Sequence, residues 1–524
     1  MSDQADTTAS SNSRPAKGNG IASAEGRGIS AYTGRVPQSI KLIYAVGTAA
    51  EAIFGVAFNF FNFFFYTNIV GVSGTMVGLA IAIALFFDAV SDPFVGAISD
   101  RWRSKWGRRH PFMFAGPVPV MICLFLIYSP PESLESFGLF LWLTILSITM
   151  RTSITLFNVP HLALGAELSA DFTERSRVMS VTALFGAFGA FGFGFLAYTF
   201  FFTSSPEYAN GMLNPSAYTS LAIFAALTGG LMMLASTVFT MHLIPKLPTA
   251  PLGLPRFTFM EFYRDCRSAL ENRNFRVLVI GILLLTATLG TRETVELHVN
   301  SYFWGLLPDQ IRYFVLAGFV GPIIGYLVTT RLHNKFEKKP VMIGALIGVL
   351  ITAADTTTLR ILGFFPANDS DYLLPLLMTN FILQITFLVI LTISFMSALA
   401  DVADEQELAT HRRQEGILFA ARSFFRKASS GFGHLLGGIA IDWINFPVGA
   451  EPGTVDADML VKLGLIDGPI AVIPGIFAIY FCMQYHLGRE RHDEIQAELN
   501  ERHMTKTSPE KAAESGNSIQ EPSL

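Results

Sequence analysis

Apolar residues run through this chain in long blocks cut by short polar loops. A hydrocarbon core of ~30 Å takes ~20 helical residues to cross. Twelve blocks come to about that length, at 41–70, 74–100, 111–130, 139–166, 178–203, 217–245, 275–303, 310–332, 341–358, 372–399, 416–444 and 466–486. They predict an all-α membrane protein with twelve transmembrane helices. The basic residues of the loops set its orientation. Arg101, Arg103, Lys105, Arg108 and Arg109 follow the second block, Arg175 and Arg177 the fourth, and Lys246, Arg256, Arg264, Arg267 and Arg273 the sixth. Arg331, Lys335, Lys338 and Lys339 follow the eighth, and Arg412 and Arg413 the tenth, whereas the intervening loops offer little beyond Arg360 and Lys462. Because cytoplasmic loops carry the excess of Lys and Arg, this alternation places these loops and both termini in the cytoplasm.

The same pattern divides the chain. Residues 1–40, rich in Ser, Gly and Ala, contain no apolar core of signal-peptide length and read as a disordered cytoplasmic tail. Residues 41–245 and 275–487 each hold six blocks, and the hydrophilic stretch 246–274 joins them as a cytoplasmic linker. Residues 488–524 form a second cytoplasmic tail, in which "GRERHDEIQAELNERHMTK" reads as a short helix that frays. The two halves repeat one another: the interval from Gly96 to Pro111 equals that from Gly325 to Pro340, and Glu167 to Arg175 equals Asp404 to Arg412. Transporters built from two related halves hold their site near the bilayer midplane and expose it to each side in turn.

Composition removes the soluble alternatives, since 51% of residues are hydrophobic and only 15% charged, with a positive mean hydropathy. Membrane lipid and a small-molecule substrate are the partners this implies; no nucleic-acid partner is expected, and a monomer is. Cys123, Cys266 and Cys482 fall singly in or near different helices, with neither metal-ligand nor disulfide spacing. An embedded enzyme would need an activated nucleophile or a metal cluster, and His161, His298 and His434 lie in separate helices, so neither an enzyme nor a cofactor is expected.

One stretch carries chemistry: "LFFDAVSDPFVGAISDRWRSKWGRRHPF", residues 85–112. Measured from Asp100 at the membrane edge, Asp92 lies ~12 Å and Asp88 ~18 Å into a core of ~30 Å. Their i, i+4 spacing puts both carboxylates on one helix face, with Ser91 beside Asp88. Each ionised Asp at that depth costs roughly 2.5–3.5 kcal/mol. A proton, a metal cation or a basic side chain must neutralise them, and a purely structural ion pair is the alternative to a coupling site. Lys427, in the middle of the eleventh block, is their natural basic partner. Pro93 removes one helical hydrogen bond and predicts a kink.

The stretch "DAVSDPFVGAISDRWRSKWGRRHPFMFAG" resembles the second helix and loop of the glycoside-pentoside-hexuronide:cation symporter family, the melibiose-permease-like branch of the major facilitator superfamily. "FNVPHLALGAELSADFTERSRVMS" and "ADVADEQELATHRRQEGILFAARSFFRKASSG" agree with later helices of the same family. The resemblance implies two pseudo-symmetric six-helix bundles and cation-coupled symport, with Na⁺ or H⁺ as the coupling cation. It also implies that Asp88, Asp92 and Thr155 bind the cation, with Ser91 where the family has an asparagine, and that Lys427 couples cation and substrate sites. Asp100, Arg101, Arg108 and Arg109 match the superfamily's gating loop. Ala52 and Asn158 stand where melibiose permease has its two sugar-binding aspartates, which speaks against melibiose as the substrate.

For the substrate, Asn59, Asn62 and Tyr66 recur at i, i+3, i+7 as a polar stripe on a phenylalanine-rich first helix, suited to hydroxyl recognition or to helix–helix hydrogen bonding. Arg422 falls at a family substrate-facing position, where a guanidinium favours an acidic solute such as a hexuronide. Arg151, Arg292 and Arg426 are further intramembrane cations, with Glu51, Glu293 and Glu296 as candidate partners. Transport of an amphipath such as a lysolipid, and uncoupled uniport, are the rival functions.

Overall fold

A computed structural model describes residues 30–32, 34–249, 258–410 and 415–516 of the chain. Arg256, Arg412, Arg413 and most of the expected N-terminal tail lie outside the described residues. Among those described, the structure is helical apart from one isolated bridge between Tyr32 and Ser169. Among the described residues eleven helices are long and apolar enough to cross a membrane. In chain order they are spans 1 to 6 (Gln38–Val70, Gly74–Arg101, His110–Ile127, Ser136–Glu167, Phe172–Phe201, Pro215–Lys246), spans 7 to 10 (Arg273–Phe303, Pro308–Lys335, Lys338–Ile361, Leu373–Thr410) and span 12 (Ala457–Met483). Span 11, Glu415–Trp443, carries Arg422, Arg426 and Lys427 and so is less apolar, but it packs along spans 2 and 7 as one of the bundle's twelve helices.

Local chemistry explains most boundaries. Asp171 and Asn272 cap spans 5 and 7 by accepting the backbone N–H of Glu174 at 2.7 Å and of Phe275 at 2.9 Å. Span 3 divides at Gly116, because Pro117 has no N–H to continue the ladder. Span 2, in contrast, runs through Pro93 as one helix. Spans 1, 5, 7 and 12 each contain a π-helical turn, at Phe65–Val70, Ala197–Phe201, Val299–Phe303 and Ile466–Ile470. Span 10 exceeds the expected 372–399, because "DVADEQELAT" continues as helix beyond the apolar block. The C-terminal tail is likewise more helical than expected, from Arg489 to Gly516. Within the connecting stretch 246–274, Phe259–Glu271 is helical.

The first and last described segments lie on one side, here the tail side. There Ala31 and Tyr32 donate to the backbone at Glu167 and Leu168, and Gln496 of the tail helix donates to Asp404 at 2.6 Å. One apolar core gathers spans 1 to 6 and also Val295, Tyr302, Trp304, Ile441 and Ile466 from the far-side ends of the second half. A second core is built from Phe262 to Leu499 alone. The halves therefore merge on the far side. Asn68 bonds His298 at 2.7 Å there, and Asp442 of span 11 accepts from the Gly74 and Thr75 N–H groups at 2.7 and 2.8 Å, capping span 2 across the interface. Glycine permits that approach: a Cβ on Gly438 would stand 2.1 Å from the Gly74 carbonyl oxygen.

Candidate cation and substrate site

Span 2 turns Asp88 and Asp92 toward span 4, and the Thr155 hydroxyl sits between them, 2.8 Å from Asp88 Oδ1 and 3.1 Å from Asp92 Oδ1. A hydroxyl has one proton to donate. It can satisfy one carboxylate at a time, and the second contact is complete only with a proton on a carboxyl group or a cation between the oxygens. From the other half, Lys427 Nζ lies 2.6 Å from Asp92 Oδ2 and 3.0 Å from Asp88 Oδ2. The site thus has two acids from one half and one ammonium from the other. Asp92 keeps 27% of its side chain exposed against 9% for Asp88, so the pair is approached from the Asp92 end, one helical turn nearer the tail side.

The surrounding polar groups are largely engaged with one another. Arg151 Nη1 reaches Asp88 Oδ2 at 3.5 Å while its Nη2 donates to Asn59 Oδ1 at 2.8 Å, and its guanidinium stacks over Phe58. Asn158 donates to Glu51 Oε1 at 2.5 Å. Ser91 donates to the backbone carbonyl of Asp88 at 3.1 Å rather than to either carboxylate. The proposed stripe on span 1 separates: Asn59 faces Arg151, Asn62 is fully buried with no hydrogen bond to its amide, and the buried Tyr66 hydroxyl donates to the Ile127 carbonyl at 2.8 Å. Arg422 lies on the tail side of Lys427, with its Nε buried and unbonded.

Among the gating residues, Arg109 joins Asp100 at 2.6 Å, Glu167 at 2.9 Å and the Ser99 hydroxyl at 2.9 Å, and Arg108 adds a bond to Glu167 at 2.7 Å. Arg101 donates to the Ala97 carbonyl of its own helix at 2.7 Å. The second half repeats the clamp with Lys338 on Asp401 at 2.8 Å. Asp401 thus takes the place of Glu167, and the repeat spacing pointed instead to Asp404. Sequence reasoning also missed Asp467 as the partner of Arg292, at 3.1 Å. An acidic residue inside the apolar twelfth block was the available signal.

Twelve spans in two halves, with a charged cluster joining them at mid-membrane, define a secondary transporter of the major facilitator class and not an enzyme. Residues 43–487 match the family described as MFS/sugar transport protein, and the chain belongs to it. A putative glycoside/cation symporter, YagG of Escherichia coli (strain K12), is 21% identical over 83% of this chain and 90% of its own. The sodium-dependent lysophosphatidylcholine symporter 1 of Gallus gallus is 23% identical over 88% of this chain and 89% of its own. The xylose transporter XylE from E. coli, solved in a partially occluded inward open conformation, shares the fold with a TM-score of 0.56 at 13% identity, over 86% of this chain and 98% of its own.

Proposed function

We propose that this protein couples the downhill movement of a cation, Na⁺ or H⁺, to the uptake of a glycoside, sugar or hexuronide-like solute by alternating access, with its tail side in the cytoplasm. The observation that carries this reading is Lys427 of one half held by Asp88 and Asp92 of the other. With Arg151 also on Asp88, two cationic groups answer the two carboxylates, and each of these charges is expensive to hold at this depth. A proton or Na⁺ bound beside Thr155 competes with Lys427 for these carboxylates and weakens their hold on it, so cation occupancy changes how tightly spans 2 and 11 are joined. On the tail side the clamp of Asp100, Arg108, Arg109 and Glu167 ties span 2 to the start of span 3 and the end of span 4, that of Lys338 and Asp401 ties span 9 to span 10, and Arg101 lies at that end of span 2. Similarity to cation symporters supports the reading.

Uptake into proteoliposomes under imposed Na⁺ or H⁺ gradients tests it. One gradient should drive accumulation, and Asp92→Asn should abolish that accumulation while solute exchange survives, since cation and solute must raise each other's affinity equally. Gradient-driven accumulation by folded Asp88→Asn and Asp92→Asn variants at the wild-type level would reduce the cluster to a structural ion pair. Uptake of lysolipid but of no glycoside would replace the solute, and uptake indifferent to both gradients would make the protein a uniporter.

A further inference from the structure

Around Asp88 and Asp92 most polar groups are engaged with one another, whereas on the second-half side of the interface several are not. Beyond Lys427, a cavity of about 380 Å³ opens between the halves, within the ~300–1,000 Å³ typical of small-molecule sites. Its charged wall is span 7, with Arg292, Glu293 and Glu296. Arg292 is occupied by Asp467, which the π-helical turn of span 12 presents to it through both carboxylate oxygens, at 3.1 and 3.4 Å. Glu293 lies 3.8 Å from His434 and within electrostatic reach of Arg151 and Arg426. Among the described residues the Glu296 carboxylate has no ion pair or hydrogen bond, nor does the Asn300 side chain on the π-helical turn of span 7, and Gln384 Nε2 is buried without an acceptor. π-Helical turns occur frequently at functional sites, and two of them line this cavity.

Carboxylates that accept, amides that donate and accept, and an aromatic wall from Trp304 and Phe381 together match a ring whose hydroxyls do both and whose C–H face is apolar. Charge narrows the class. In the cavity wall Glu293, Glu296 and Asp467 stand with Arg292, which Asp467 already holds, while Arg151 and Arg426 act on Glu293, so among the described wall residues a carboxylate on the solute finds no unpaired cation. We infer that this second-half cavity is the solute site, that Glu296 is its hydroxyl acceptor with Asn300 and Gln384 beside it, and that it takes neutral glycosides in preference to uronides. The inference rests on the proposed glycoside transport and assigns recognition to the half that lacks the cation-binding acids. It also connects the two sites, because His434, which faces Glu293, stands two helical turns along span 11 from Lys427.

The test is equilibrium binding of 4-nitrophenyl β-glucoside, β-galactoside and β-xyloside to the purified full-length protein, with 4-nitrophenyl β-glucuronide as the charged counterpart. At least one neutral glycoside should bind at least tenfold more tightly than the glucuronide. Glu296→Gln should weaken that neutral ligand at least tenfold and narrow its advantage over the glucuronide, with an unchanged melting temperature. In an Asn300→Cys variant the neutral glycoside should slow alkylation of the introduced thiol at least fivefold, a readout that stands if Glu296→Gln does not fold. Neutral glycosides that bind Glu296→Gln as they bind wild type, or that leave the introduced thiol unprotected, place the solute elsewhere. Equal binding of the glucuronide overturns the charge preference. If wild type binds none of the four, glycoside transport itself fails, and this site with it.

Discussion

Counted in step from Gly96 and Gly325, the second helices of the two halves share a proline, Pro93 against Pro322, and part company around it: Asp92 and Asp88 stand where the second half has Gly321 and Ala317. Packing follows that difference. A Cβ on Gly321 would lie 2.8 Å from Ile385 Cβ, and one on Gly325 would lie 2.8 Å from Val389 Cβ and 2.9 Å from the Thr386 carbonyl oxygen. At Gly96 the nearest atom, on Val159, is at an ordinary 3.5 Å. At Gly321 and Gly325 span 8 is thus pressed against span 10, whereas at Gly96 span 2 stands off locally from span 4, next to the level where two carboxylates meet a threonine. The tail-side clamps persist in both halves, as Arg109 with Glu167 and Lys338 with Asp401. The repeated framework is kept where it holds helix ends together and altered at the level of Asp88 and Asp92.

The sharpest way to break this contrast is to remove the cation that the second half lends to the first. Lys427→Gln leaves two buried carboxylates short of a partner, and breaking a buried pair costs ~3–5 kcal/mol; Arg151 remains near Asp88 and Asp92 is partly exposed, so the low end is expected. Thermal unfolding of the purified protein measures it. The Lys427→Gln, Asp92→Asn double variant should regain most of the loss. An unchanged melting temperature in the single variant would mean that this pair does not join the halves.

The clamps should differ next. Glu167→Gln removes the acceptor of two largely buried guanidinium groups, with an expected loss of about 1.5–3 kcal/mol. Asp401→Asn loses a lysine whose side chain is 36% exposed, so about 1 kcal/mol is expected after solvent screening. Equal losses would show that the clamps are interchangeable despite their different burial.

Glycine substitutions probe the spacing itself. Gly325→Ala should destabilise by about 1–3 kcal/mol through overpacking against span 10, whereas Gly96→Ala should be neutral or stabilising by up to about 1 kcal/mol from helix propensity. A reversed order in denaturation midpoints would refute the stand-off of span 2 from span 4. The smallest effect is expected at Tyr66→Phe, which loses one buried hydrogen bond worth about 0.5–1.5 kcal/mol. Its solute affinity should match wild type. A tenfold weaker affinity would return Tyr66 to the solute site.

Much of this was legible along the chain, because burial in a bilayer imposes a length on every apolar block and loop charge follows the side of the membrane. The spans, the common face of Asp88 and Asp92 and the need for a counter-charge follow from those rules alone. Tertiary structure decided who answers that need. Lys427 reaches both aspartates because span 11 lies against span 2 through glycines, a contact between residues far apart in the chain. The periodicity that made Asn59, Asn62 and Tyr66 one stripe assumed an unbroken α-helix, but span 1 interrupts its helix at Phe60–Phe61 and ends in a π-helical turn, and each side chain finds a different environment. Likewise Arg292 chose Asp467 over the nearer Glu293 and Glu296, since a turn in span 12 brings that carboxylate to the guanidinium. Sequence sets which charges must be neutralised inside the membrane; only packing between distant helices determines which are neutralised by the protein and which are left to a ligand.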